Sequence, residues 1–182
     1  MLVTPGQYRL CFRVFRGPNP GLTDSLVQTK SDMNTQQAEK PDYMSAFRGS
    51  FTSALKWPNL DALWQAVRDQ HSDDWYIYAI GHEPPESPVS QSKLAEFITE
   101  IDQLLRKEHD HDYCGIVYAD DLKQPAFIKI YDPNNLGVSC GYSDNPPLPG
   151  WVLSKLQPVD VPANQVVPGN RRRWWQRLFG SE

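Results

Sequence analysis

Two stretches of the chain repeat apolar residues with the period of an α-helix. The first follows Asn59, a residue type that commonly caps helix N-termini, and we expect this helix to end near Gln70. The second follows Ser90 or Ser92, either of which can cap it. Spacings of three and four residues place the apolar positions of each stretch on one face. These positions are Leu60, Leu63, Trp64 and Val67 in the first stretch, and Leu94, Phe97, Ile98, Ile101, Leu104 and Leu105 in the second.

Short runs rich in aromatic and β-branched residues predict strands between and after these helices. Residues 75–80 are apolar at almost every position, which is typical of a strand that is covered on both faces. Residues 113–118 and 126–131 predict two more strands, and the polar loop between them is short enough for an antiparallel hairpin. Residues 45–55 and 138–141 are further candidates, for a first strand and a short last strand.

The predicted order of elements is β-α-β-α-β-β-(β), which indicates an α/β domain, with α+β as the alternative. We expect a small mixed sheet of about four to five strands with two main helices packed on it. Right-handed crossovers would link the first strands and hairpins the last ones. The globular domain is assigned to residues 44–157. Residues 1–43 are predicted to be flexible, and initiation at Met33 would remove most of them; residues 158–182 predict a proline-punctuated flexible linker with a basic-aromatic tail.

Composition and charge narrow the class of protein. The 182 residues suit one domain that folds without disulfides or metal. With 18 basic against 22 acidic residues and a net charge of −4, the chain is not expected to bind nucleic acid through its charge. It contains neither an apolar run long enough to span a membrane nor a secretory signal at its start, so we predict a cytoplasmic protein. Its three cysteines lack C-x-x-C spacing, as expected for reduced thiols.

Residues 132–151 are unusually dense in Asp, Asn, Gly and Pro, and two interpretations remain open. The segment is a loop that presents side chains to a protein or small ligand, because binding groups commonly lie on loops of a rigid scaffold. Alternatively, these residues only satisfy turn geometry, and Leu148 and Trp151 attach the segment to the core. Under the first interpretation the candidate binding residues are Asp132, Asn134, Asn135, Cys140, Tyr142 and Trp151.

The C-terminal tail combines arginines with large apolar residues. This composition suits a short amphipathic segment that contacts an anionic membrane surface weakly and reversibly, or that docks on a partner protein. The other interpretation is a solubilising tail, or one that docks on its own domain. The candidate contact residues are Arg171, Arg172, Arg173, Trp174, Trp175, Arg177, Leu178 and Phe179.

Metal and thiol chemistry were considered for the residues around 109–114. His109, His111 and Cys114 are metal-ligating types, but a predicted helix C-terminus accounts for the histidines, so no metal site and no cofactor is predicted. A thiol nucleophile at Cys114 or Cys140 would need a nearby base such as His82. No P-loop, dinucleotide-binding, nucleophile-elbow or zinc-protease motif is present in the sequence.

The leading hypothesis is a small cytoplasmic binding or accessory domain that engages a protein or small ligand through residues 132–151. Its tail would visit the membrane. The alternative is a metal- or thiol-dependent enzyme that uses Cys114 or Cys140 with nearby histidines. The sequence leaves open whether the protein is an enzyme, and it identifies no family.

Overall fold

The computed structural model describes residues 42–135, 148–162 and 169–180 of the chain. Within these residues, helices and strands build a mixed α and β structure, which confirms the predicted fold class. The elements in chain order are α1 (Tyr43–Phe47), β1 (Thr52–Ser53), α2 (Trp57–Asp69), β2 (Tyr76–Ala79), α3 (Gln91–Glu108), β3 (Val117–Ala119), β4 (Phe127–Ile130), a 3-10 turn (Pro133–Asn135), β5 (Trp151–Ser154) and α4 (Gly169–Phe179).

The two main helices form where the apolar spacing predicts them. Ser90 caps α3, since its hydroxyl accepts a hydrogen bond from the backbone N–H of Lys93 at 3.3 Å. Helix α2 begins earlier than predicted, after Lys56, with Pro58 in its first turn. Asn59 lies inside that turn and accepts a hydrogen bond from the Lys56 backbone N–H at 3.1 Å. Asn59 therefore contributes to the cap from within the helix.

The five strands in the described part of the chain pair in the order β1-β3-β4-β5-β2, and all four of these pairings are antiparallel. The predicted hairpin between β3 and β4 is confirmed. The crossover between adjacent first strands is not seen, because β1 and β2 lie at opposite edges of the sheet. Strand β5 lies between β4 and β2, and its four residues are all buried. The sequence analysis predicts no strand at these residues.

The predicted strand within residues 45–55 is wrong for most of its length. Asp42 caps a helical turn there by accepting a hydrogen bond from the Ser45 backbone N–H at 3.0 Å, so helix α1 forms and only two residues pair as β1. The predicted strand at 138–141 and the N-terminal segment 1–41 lie outside the described residues.

Side chains alternate across the sheet and fill two apolar clusters. Ile77 and Leu153 face the cluster that α2, α3 and α4 cover. Tyr78 and Val152, their neighbours along the strands, face a second cluster that includes residues of α1 and Val161. Both faces of the central strands are therefore covered, as predicted for residues 75–80. None of the helices in the described part of the chain is long and apolar enough to cross a membrane.

The last part of the chain differs from the predicted flexible segment 158–182. Residues 169–179 form α4, whose Arg171 and Leu178 are buried. Val161 is also buried, and its backbone N–H donates a hydrogen bond to the Tyr78 hydroxyl at 3.4 Å. The apolar face of the tail is covered by the domain itself, which accounts for its helical structure.

Candidate functional site

The two ends of the candidate segment 132–151 are anchored in the fold. Asp132, which follows β4, is 4% exposed, and Trp151, the first residue of β5, is 3% exposed. Asn134 and Asn135 form part of the 3-10 turn between them. Cys140 and Tyr142 lie outside the described residues. Asp132 and Trp151 are therefore turned towards the interior.

Arg171 of α4 joins this segment to α3. Its Nε donates to Oδ2 of Asp132 at 2.6 Å, and its Nη2 donates to Oδ1 at 2.8 Å. Its Nη1 donates to Oε1 of Glu108, the last residue of α3, at 3.0 Å. We refer to Arg171, Asp132 and Glu108 as the Arg171 fork. One planar guanidinium thus bonds two carboxylates from separate elements, a geometry that lysine cannot reproduce.

Asn134 completes the hydrogen bonding of the two carboxylates. Its backbone N–H donates to Oδ1 of Asp132 at 2.9 Å, and its side-chain amide donates to Oε2 of Glu108 at 3.1 Å. Hydrogen bonding to Arg171 lowers the pKa of Glu108. Burial opposes the charge of Arg171, but its bonds to Asp132 and Glu108 outweigh that effect and raise its pKa. Both shifts favour the charged forms of Glu108 and Arg171.

Aromatic side chains hold the rest of α4 in the groove between α3 and β5. The ring of Trp174 lies 6.1 Å from that of Phe97 and 5.4 Å from that of Trp151. Trp175 lies 6.4 Å from Phe97 and stacks on Phe179 at 4.2 Å. We call the surface formed by α3, residues 132–134 and β5 the α4 groove. It binds one amphipathic helix through an ion-pair fork and an aromatic cluster.

The outer face of α4 is basic. Arg172 and Arg173 are exposed, and Arg177, whose side chain is 66% exposed, pairs with Glu100 of α3 at 2.6 Å. An open surface cleft of about 280 Å³ lies between α3 and α4.

The structure brings together candidate residues to which the sequence analysis gave separate roles. Asp132, Asn134 and Trp151 were predicted to meet a ligand, and Arg171 a membrane or partner, yet all four lie at one site. Glu108 was missed as a member of this site. Its distance of 63 positions from Arg171 leaves no local signal of the contact.

The histidines at the end of α3 form a separate small group. His109 is the C-cap residue of α3, is 5% exposed, and lies with its ring 4.8 Å from that of His111. The ring of His111 stacks on Tyr113 at 5.3 Å. Within the described ranges, no three or more His, Cys, Asp or Glu side chains are placed to hold a metal ion.

Cys114 is fully buried, and burial raises the pKa of its thiol. Because the thiolate is the nucleophilic form, this environment disfavours catalysis by Cys114. His82, the suggested base, instead packs on Trp175 of α4 at 5.7 Å between ring centroids.

Comparison of this chain with known protein families, with characterised proteins and with solved structures finds no significant match.

Proposed function

We propose that this chain is a small cytoplasmic protein-binding domain, and that its α4 groove recognises an amphipathic helix of a partner protein. Helix α4 occupies the groove in the free protein and must leave before the partner helix binds. The observation that carries the proposal is the buried Arg171 fork, which binds a helix by paired charges at the segment that the sequence selects as a binding loop.

The groove has the features by which proteins commonly bind helices. Phe97 and Trp151 form an apolar surface for bulky aromatic side chains, and Asp132 and Glu108 select a cation at one end. A partner helix without an arginine at that position would leave the carboxylate of Asp132 buried and unpaired. The groove therefore distinguishes among amphipathic helices by charge as well as by shape.

Helix α4 suits the part of an exchangeable occupant. It has 11 residues, and an isolated helix of that length is marginally stable in water, so its structure depends on docking. Six residues, 163–168, connect it to the preceding described segment. A short connection of this kind gives α4 an effective concentration at the groove in the millimolar range. A partner helix must therefore bind the groove more tightly than α4 does, or bind when docking of α4 has been weakened.

A thiol enzyme is less compatible with the same structure, because burial raises the pKa of Cys114.

A peptide-capture experiment tests the proposal. A fluorescein-labelled peptide with the sequence of residues 168–182 is titrated with the full chain, and fluorescence anisotropy reports binding. The wild-type chain should bind weakly, because its own α4 competes. Arg171→Gln in the chain weakens docking of its own α4, so the wild-type peptide should bind at least tenfold more tightly. A loss of about 1.4 kcal/mol in the docking free energy of α4 is enough for this effect.

Two further variants separate this mechanism from general loosening of the fold. Adding Asp132→Asn and Glu108→Gln to the Arg171→Gln chain should remove the gain, because the fork on the groove side is then lost. Arg172→Gln, which changes an arginine on the exposed face, should behave as wild type. Equal capture by the wild-type and Arg171→Gln chains would contradict the proposal.

A second candidate function is contact of the released α4 with an anionic membrane surface. The exposed Arg172 and Arg173 favour it, together with the tryptophans of the same helix. Trp174 and Trp175 pack on Phe97 while α4 is docked, so this contact also requires release of the helix.

A further inference from the structure

An open surface cleft of about 430 Å³ lies at the C-terminal end of α3, and we call it the α3-end cleft. None of the residues that line it belongs to the Arg171 fork. The run His-Asp-His-Asp at positions 109–112, which the proposed function does not use, supplies four of its lining residues. The full lining consists of Trp57, Arg106, His109, Asp110, His111 and Asp112.

Three aromatic rings contribute to the lining of the α3-end cleft. The ring of His109 lies 4.8 Å from that of His111 and 6.0 Å from that of Trp57, measured between centroids. The indole N–H of Trp57 donates to the carbonyl oxygen of His111 at 3.0 Å, which links these two residues. The guanidinium carbon of Arg106 lies 4.9 Å from the centroid of the Trp57 ring. One guanidinium group of the chain itself therefore already packs on a ring of this cleft.

The charges around the cleft leave a surplus of carboxylates. Nε of Arg106 donates to Oδ2 of Asp102 at 2.8 Å, and its Nη2 bonds Asp61, so this cation is already compensated. Asp110 and Asp112 are exposed, and within the described ranges neither forms an ion pair. Both follow the C-terminal end of an 18-residue helix, where the helix dipole is negative. The cleft therefore favours a cation.

His109 adds a hydrogen-bonding atom without a partner. The residue is 5% exposed, and among the described residues no group forms a hydrogen bond with its Nε2. In the tautomer that carries its proton on Nδ1, this nitrogen accepts a hydrogen bond. Buried polar atoms without a partner are uncommon in folded proteins. A ligand N–H group beside His109 would satisfy this nitrogen.

The cation that suits this arrangement is organic rather than metallic. In the part of the chain that the structure describes, no three His, Cys, Asp or Glu side chains are placed to hold a metal ion. A guanidinium does not need converging ligands, because its plane packs on aromatic rings while its N–H groups pair with carboxylates. An ammonium group is a compact point charge without such a plane. Rings and carboxylates in one cleft therefore favour a guanidinium.

We propose that the α3-end cleft binds the guanidinium group of a ligand, either a small molecule or the arginine side chain of a peptide. The N–H groups of the ligand donate to the carboxylates of Asp110 and Asp112 and to Nε2 of His109. The exposed ring of His111 contacts the plane of the guanidinium. The cleft lies outside the Arg171 fork, so this inference does not rest on the proposed binding of a helix in the α4 groove.

NMR titration of the full chain tests the site with two ligands of equal charge and equal chain length. The indole N–H signal of Trp57 reports binding, because this group bonds the His111 carbonyl at the cleft, and Trp57→Phe assigns the signal. Butylguanidinium should shift the signal saturably, with a Kd in the millimolar range. Butylammonium should bind at least about threefold more weakly. No saturable shift with butylguanidinium, or equal binding of the two ligands, would overturn the proposal.

Charge variants separate the cleft from a general effect of net charge. Asp110→Asn combined with Asp112→Asn should weaken binding of butylguanidinium at least about fivefold, since two exposed ion pairs are lost. Glu83→Gln combined with Glu86→Gln removes the same charge from the loop that precedes α3, at its opposite end, and should bind as wild type does. Equal affinity in all three chains, or equal weakening by both pairs of substitutions, would overturn the assignment of the cleft carboxylates.

A capped Gly-Arg-Gly peptide distinguishes the two sources of the guanidinium. Tighter binding of the peptide than of butylguanidinium supports a peptide ligand, and weaker binding supports a small molecule. None of these readouts requires release of α4. Failure of this site and failure of the proposed protein-binding function are therefore distinguishable.

Discussion

Replacing Arg171 with glutamine removes the one cation that two carboxylates of the fork share. The side chain of Asp132 is 4% exposed, so its charge would stay buried, whereas that of Glu108 is 29% exposed and can turn to water. Breaking a buried ion pair by removing one partner costs about 3–5 kcal/mol. Because solvent relieves Glu108, we expect Arg171→Gln to lower the free energy of unfolding by about 3 kcal/mol. Urea denaturation followed by circular dichroism measures this loss.

A double-mutant cycle distinguishes loss of the fork from loss of packing. Asp132→Asn in the Arg171→Gln background removes the unpaired buried charge, so the double variant should recover about 1–2 kcal/mol relative to Arg171→Gln alone. Arg171→Lys keeps the charge without the planar fork and should fall between wild type and Arg171→Gln. Strictly additive effects, or a loss below about 1 kcal/mol in Arg171→Gln, would refute this account of the fork.

Three further measurements test the docking of α4 and the burial of Cys114. Burial and the nearby Arg172 lower the pKa of His82, so docking of α4 should be complete above about pH 6.5 and weaken below it. Hydrogen exchange of the α4 amides at pH 7.5 and 5.5 measures this change. An unchanged pH dependence in His82→Gln would contradict the role of His82. Wild-type chain should sediment weakly with phosphatidylserine vesicles at low salt and Arg171→Gln more strongly; equal sedimentation would show that docking does not hide the apolar face. Native Cys114 should react slowly with iodoacetamide and quickly in urea; similar rates would contradict its burial.

The sequence predicts the elements that depend only on residues close together in the chain. Helices α2 and α3 and the hairpin of β3 and β4 follow from apolar spacing and loop length. Strand β5 does not, because it directly follows a segment rich in turn-forming residues, and the sequence pattern therefore places Trp151 in a loop. Helix α1 has five residues, and only its Asp42 cap distinguishes it from the strand that was predicted.

The site was predicted only as separate halves. Asp132 and Trp151 were selected by unusual composition, and the tail by its arginines and tryptophans, but their contact spans 39 positions between Asp132 and Arg171. No periodicity links residues that far apart.

The central claim is that α4 leaves its groove while the rest of the domain stays folded. Native-state hydrogen exchange of the full chain tests it most directly, by comparing amides of residues 173–179 with the core amides of α3. We predict that the α4 amides exchange through an opening of clearly lower free energy than those of α3, in the wild-type chain and in Arg171→Gln alike. Exchange of both helices through one common opening would contradict the account.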